Sequence, residues 1–145
     1  MFNGSILVAT DGTALSEKAI AAAVELARAT GSKLVGFTAV SPYRYAGIGE
    51  SSGVAAADHQ ARVGADASAR LAIVERLART AGVECHTSML EDDEPYRATI
   101  ASAERHGCGL IVMASHGRSG VRALVLGSET QRVLTHTSLP VLVIR

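Results

Sequence analysis

An α/β domain built on one doubly wound, five-stranded parallel sheet, with strand order 3-2-1-4-5 and helices on both faces, is the fold this sequence predicts. Three observations lead there. Short apolar runs alternate along the whole chain with longer stretches of helical periodicity. Glycines stand where the helical patterns stop, at Gly31, Gly82 and Gly107. One run, Val83 to Met89, alternates polar and apolar residues where the others are almost continuously apolar, as a strand at a sheet edge does. Strands separated by helices require parallel pairing through right-handed crossovers. With Val83 to Met89 at an edge, the chain winds outward from strand one to strand three and then returns, placing strand four on the other side of strand one.

The elements follow in order. Ser5 to Thr10 (SILVAT) is a buried strand that ends in the turn formers Asp11-Gly12-Thr13. From Leu15 to Thr30, Ala19, Ile20, Ala23, Val24 and Ala27 fall on one helical stripe, with Gly31 as its left-handed stop. Lys33 to Val40 is a second buried strand. Ser41 to Ala57, with Pro42 and scattered glycines and serines, reads as a long surface loop. Asp58 to Ala81 carries a helical stripe through Ala67, Leu71, Val74, Leu77, Ala78 and Ala81, and the edge strand follows. Asp93 is placed to cap a helix that has Pro95 in its first turn and runs to His106. Leu110 to Ala114 is the fourth strand, Ser128 to His136 a short helix, and Val141 to Ile144 the last strand.

Length and composition narrow the function classes. One domain over residues 1–145 fits the length, and such a domain buries roughly two thirds of the surface its unfolded chain exposes. Fourteen basic residues balance fourteen acidic ones, and the aromatics are two Phe and three Tyr, so nucleic-acid binding is not expected. No membrane span and no signal peptide are read in the sequence, so a cytoplasmic protein without membrane contacts is expected. Cys85 and Cys108 have neither disulfide nor zinc spacing and read as buried thiols. The five histidines show no paired metal-ligand spacing, and no GxSxG elbow accompanies Ser115-His116.

The stretch Ala114 to Thr130 (ASHGRSGVRALVLGSET) carries the chemistry. Gly117 and Gly120 let a backbone approach an anion, Arg118 adds charge, and Gly127-Ser128 opens a helix whose first N–H groups can face a phosphate. Ser128 reads both as a helix cap and as a hydroxyl contact. The loop is neither GxxxxGK[ST] nor GxGxxG. From these residues alone, phosphate binding and an ordinary connection both stand, and position favours the first: ligands of such sheets bind beyond the carboxyl ends of the strands at the topological switch, here Thr10-Asp11 and Ser115 onward. Asp11 likewise reads either as a ligand contact or as a cap of the helix after strand one.

The spacing of this loop resembles the universal stress protein signature, Gly-x-x-Gly, nine residues, then Gly-Ser or Gly-Thr. Gly117 matches the second glycine, Arg118 to Leu126 are the nine residues, Gly127-Ser128 match the end, and Ala114 replaces the first glycine. The likeness extends to ILVATDGTALSEKA at the start and VLTHTSLPVLVIR at the finish. It implies ATP binding, with magnesium brought by the phosphates. Thr10 and Asp11 would lie at the ribose and adenosine end, and Ala39 and Val40 beside the adenine. Met113 and Ala114 would line the nucleoside, with His116, Gly117, Arg118, Gly127, Ser128 and Glu129 around the phosphates or their metal. The resemblance also implies a homodimer through Val141 to Ile144, whose two apolar faces on a last strand invite pairing. No catalytic residue is assigned, and at most slow ATP hydrolysis is expected. The alternative is a dimeric interaction module that binds no nucleotide.

Overall fold

The computed structural model describes residues 4–43, 52–117 and 125–145. Its elements are β1 (Ser5–Ala9), α1 (Ala14–Thr30), β2 (Leu34–Val40), α2 (Ser52–Thr80), β3 (Cys85–Glu91), α3 (Pro95–Arg105), β4 (Cys108–Ala114), α4 (Ser128–His136) and β5 (Val141–Ile144). All strand pairs are parallel and the order is β3-β2-β1-β4-β5, as the sequence predicts.

The pleat sorts the core into two layers. Ile6 and Val8 of β1, Leu34 of β2 and Leu110 and Val112 of β4 face α1 and α2, where Ala19, Ile20, Ala23, Val24 and Ala27 form the predicted stripe. Leu7, Val35, Phe37, Ile111 and Met113 face the other way and pack with Ala98 and Ala103 of α3 and Val133 of α4. Ile6, Leu7 and Val8 are fully buried, which is why β1, β2 and β4 read as unbroken apolar runs. Gly31 (φ 69°) and Gly82 (φ 71°) hold the left-handed conformation expected where α1 and α2 stop.

Gly36 answers to packing instead. A Cβ there would lie 2.8 Å from Cγ1 of Val74, so its absence is what lets α2 settle directly on the backbone of β2.

Several expected boundaries move. α2 begins at Ser52 rather than Asp58, because the alanine run Ala55–Ala57 favours helix over loop; what is left of the expected loop falls largely in 44–51, outside the described residues. The edge strand starts at Cys85 and extends to Glu91, and Met89 on it is 43% exposed, since an outermost strand has no neighbour to enclose its alternating side chains. Asp93 does not cap α3. The N-cap is Glu94, whose N–H donates to Asp92 Oδ1 at 2.8 Å. Ser128 is the first residue of α4, and Gly127 stands at its N-cap, so Ser128 is not the cap. Of the two thiols, Cys108 is buried and Cys85 half-buried.

Candidate functional site

A cavity of about 310 Å³ opens at the carboxyl ends of β1, β2 and β4, in the size range of small-molecule sites. Its place follows from topology: the chain leaves β1 toward β2, while β4 returns to the other flank of β1, so the connections diverge and leave a crevice between them. The pleat gives the crevice two walls. Phe37, Ala39 and Met113, with Tyr96 and Val133, make an apolar wall on the α3 and α4 side. Thr10, Ser16, Thr38 and Arg70 make a polar wall on the α1 and α2 side.

The polar wall is internally bonded. Thr38 Oγ1 donates to the carbonyl of Thr10 at 2.8 Å, tying β2 to β1. Thr10 Oγ1 accepts from the N–H of Gly12 at 3.2 Å and lies 3.1 Å from Ser16 Oγ, which in turn donates to the carbonyl of Thr13 at 2.8 Å. Arg70 Nη1 donates to Thr38 Oγ1 at 3.4 Å.

Asp11 takes a role between the two the sequence allows. The cap of α1 is Thr13, whose Oγ1 accepts from the N–H of Ser16 at 3.2 Å. Asp11 holds that cap in place: its Oδ1 accepts from the Thr13 N–H at 3.0 Å and from the Thr13 hydroxyl at 2.6 Å. Its second oxygen, Oδ2, lies 2.8 Å from where a Cβ on Gly117 would stand. Gly117 therefore admits the carboxylate, and the turns after β1 and β4 meet there.

The α4 end is built from backbone. The Gly127 N–H donates to the carbonyl of Ser115 at 2.8 Å. Thr130 Oγ1 donates to the carbonyl of Ala114 at 2.9 Å, so the first turn of α4 is stitched to the end of β4. A Cβ on Gly127 would lie 3.0 Å from Cα of His116 and 3.3 Å from the Ser115 carbonyl oxygen, although φ −60° and ψ 154° would suit any residue. Glycine stands there because two backbone segments touch. The helix start leaves N–H groups without intrahelical partners beside the cavity, a setting that suits an anion.

Thr10, Asp11, Ala39, Met113, Ala114, His116, Gly117, Gly127, Ser128 and Glu129, all singled out in the sequence, line this one cavity. Val40 does not: it lies at the end of β2, where its carbonyl accepts from the Asp92 N–H at 3.1 Å. Arg118 lies outside the described residues. Glu129 lines the cavity, but its Oε2 accepts from the N–H of Tyr96 at 2.8 Å, so its carboxylate serves the first turn of α3, where Glu94 supplies no side-chain cap. His116 Nδ1 is 3.2 Å from Ser115 Oγ. Among the described residues no cluster of three or more His, Cys, Asp and Glu is arranged to hold a metal.

Sequence reasoning missed Arg70, Tyr96, Thr99 and the hydroxyls of Ser16 and Thr38. A signal existed for one of them. Arg70 interrupts the buried stripe of α2, between Ala67 and Val74.

Fold and crevice define a doubly wound domain whose cavity opens at the carboxyl edge of β1, β2 and β4. The chain belongs to the universal stress protein family, whose model, described as "Universal stress protein family", matches residues 3–145. The universal stress protein YxiE of Bacillus subtilis is 32% identical, the match covering 100% of both chains. Among solved structures, the universal stress protein UspA from Lactobacillus plantarum superposes with a TM-score of 0.82 at 23% identity, over 100% of this chain and 99% of that one. The universal stress protein from Archaeoglobus fulgidus in complex with dAMP superposes with a TM-score of 0.73 at 20% identity, over 100% of both. No helix among the described residues is long and apolar enough to cross a membrane.

Proposed function

We propose that this protein is an ATP-binding member of its family, taking the nucleotide in the crevice between β1, β2 and β4 and working as a homodimeric, nucleotide-dependent stress-response or signalling module in the cytoplasm. The observation that carries the reading is the pairing of two unlike walls in one cavity. An apolar wall of Phe37, Ala39, Met113 and Val133 suits a flat base. Asp11 offers an acceptor to ribose hydroxyls. The glycine turn and the start of α4 suit phosphates. The dAMP complex of a structural relative supports an adenine nucleotide as the guest.

Magnesium would arrive with the phosphates and draw most of its ligands from them and from water, as this small ion usually does. Arg118 would add charge at the phosphate end. Turnover is expected to be slow: Glu129 is engaged with α3 and Asp11 with Thr13, and neither is set to orient an attacking water. The homodimer would form through β5, a four-residue edge strand on which Leu142 is 37% exposed.

Calorimetry with ATP and Mg²⁺, together with mass spectrometry of ligand released on denaturation, tests the first part. Heat of binding or a released adenine nucleotide is expected; the absence of both would move the reading to a dimeric interaction module without a nucleotide. Sedimentation tests the second. Val143→Asp and the more exposed Leu142→Asp should both shift the protein toward monomer, and a dimer unmoved by either would remove β5 as the interface.

A further inference from the structure

Arg70 occupies a position where the pattern of α2 calls for an apolar side chain. It lies three residues after Ala67 and four before Val74, both buried. What brings it to the cavity is the close seating of α2 at Gly36. From Val74 back to Arg70 a helix covers about 6 Å, and from Gly36 on to Thr38 a strand covers about 6.6 Å, so the two steps keep pace along the antiparallel crossing. The guanidinium therefore arrives over Thr38, with Nη1 3.4 Å from Oγ1, and its stem and Nε lie 3.2–3.5 Å from where a Cβ on Gly12 would stand. Gly12 (φ 82°) leaves that space open. Among the described residues no other lysine or arginine lines the cavity.

Arg70 stands on the β2 side of the crevice, whereas Gly127 and the start of α4 stand on the β4 side, about two strand spacings or roughly 10 Å across. Asp11, on β1, lies between them. The crevice thus offers, in order across three strands, a helix start that suits an anion, a carboxylate that suits a hydroxyl, and a planar cation. We infer that Arg70 is a specificity-determining residue, and that it selects purine nucleotides carrying a second phosphate on the ribose in addition to the one at the 5′ position. In such a ligand one ribose hydroxyl stays free to donate to Asp11, the 5′ phosphate lies toward α4, and the second phosphate meets the guanidinium, whose fork of donors matches phosphate geometry. The inference rests on the nucleotide reading above and adds to it the class of nucleotide.

Titration calorimetry on the full chain with AMP, adenosine 2′,5′-bisphosphate and adenosine 3′,5′-bisphosphate tests it. At least one bisphosphate should bind about tenfold more tightly than AMP, the gain expected of charge-assisted hydrogen bonds at a partly exposed site. Arg70→Met, which keeps an unbranched stem over Gly12, should bring the ratio of bisphosphate to AMP affinity down to about one. Arg70→Lys should restore part of it. AMP bound as tightly as both bisphosphates, or a preference that survives Arg70→Met, overturns the inference and leaves the nucleotide reading standing. No binding of any of the three, nor of ATP, overturns both. Because the readout is a ratio of affinities on the same protein, a variant that merely loosens the fold does not imitate the expected result.

Discussion

Replacing Gly127 by alanine separates a contact made by the protein with itself from a contact made with a ligand. The new Cβ would stand 3.0 Å from Cα of His116 and 3.3 Å from the carbonyl oxygen of Ser115, and both neighbours are backbone that gives way only if the turn after β4 shifts. Overpacking of this kind costs about 1–3 kcal/mol. Chain entropy opposes it: φ −60° and ψ 154° suit alanine, and losing a glycine from the unfolded chain returns about 0.4–1 kcal/mol. Set against each other, the two ranges leave a net loss of up to about 2.6 kcal/mol, and about 1.3 kcal/mol at their midpoints. For a chain of 145 residues the midpoint loss lowers Tm by about 4 °C. The assay is thermal or urea unfolding without nucleotide, with Gly64→Ala as the control. Gly64 lies inside α2 with nothing within 4 Å of its Cβ position, so alanine there should stabilise by up to about 1 kcal/mol. If Gly127→Ala is as stable as the parent protein, the close approach to His116 is not what excludes a side chain, and direct obstruction of a ligand becomes the only reason left for glycine.

Gly117→Ala should behave differently, because its Cβ would meet the end of a side chain, Asp11 Oδ2 at 2.8 Å. Nucleotide affinity should fall about tenfold through displacement of that carboxylate while Tm moves less than in Gly127→Ala; calorimetry and melting on the same sample check both, and the reverse ranking would refute the pairing of the two turns. Glu129→Ala removes the acceptor for the Tyr96 N–H and should cost about 1 kcal/mol, whereas Glu129→Gln keeps an oxygen there and should cost less. Urea unfolding without nucleotide reads the difference, and an Ala variant of parental stability would return Glu129 to the ligand. Burial pushes the Cys108 thiol up to about 11 from an ordinary 9.0. The unfolded chain then releases that proton first, so this contribution to stability is whole below pH 9 and is lost as the pH rises toward 11. Cys108→Ala should flatten the fall in the urea midpoint between pH 8.5 and 10.5; an identical slope in the variant would show that the thiol does not cause it.

How much was legible in advance depended on whether the cause was local. β1, β2 and β4 announce themselves because both faces of each are covered, and β3 announces its edge position because one face is not. Gly31 and Gly82 mark helix ends through a backbone conformation that other residues avoid, and the same argument holds wherever they occur. The glycine turn points, for a related reason, to the end of the sheet where the cavity opens. Long-range causes stayed hidden. That α3 is capped from α4, by Glu129 at Tyr96, cannot be read from the neighbours of either residue, whereas Asp93, a good cap residue just ahead of Pro95, is the candidate the local pattern offers. Arg70 reaches the cavity through Gly36, a glycine in a strand some thirty residues earlier whose own conformation is unremarkable. Val40, which the resemblance places beside the adenine, does not line the cavity, and its carbonyl accepts from the N–H of Asp92 in the next segment.

The stitching of Gly127 to Ser115 and of Thr130 to Ala114 has a consequence for how such a chain can change over time. Between those two anchors His116 and Gly117 meet Gly127 and Asp11, and the Leu126 carbonyl accepts from Gln131 Nε2, so these three are held much as the anchors are. By loop-closure entropy alone, each doubling in the length of a connection costs only about 0.6 kcal/mol. The stretch 118–125 can therefore be exchanged as a cassette, with new ligands or partners tried there while the sheet beneath stays as it is. The anchors themselves have no such latitude, since Gly127 is held by contact with backbone. Grafting the equivalent segment from a relative between Gly117 and Leu126 is a direct way to test whether a ligand preference moves with it from one family member to another.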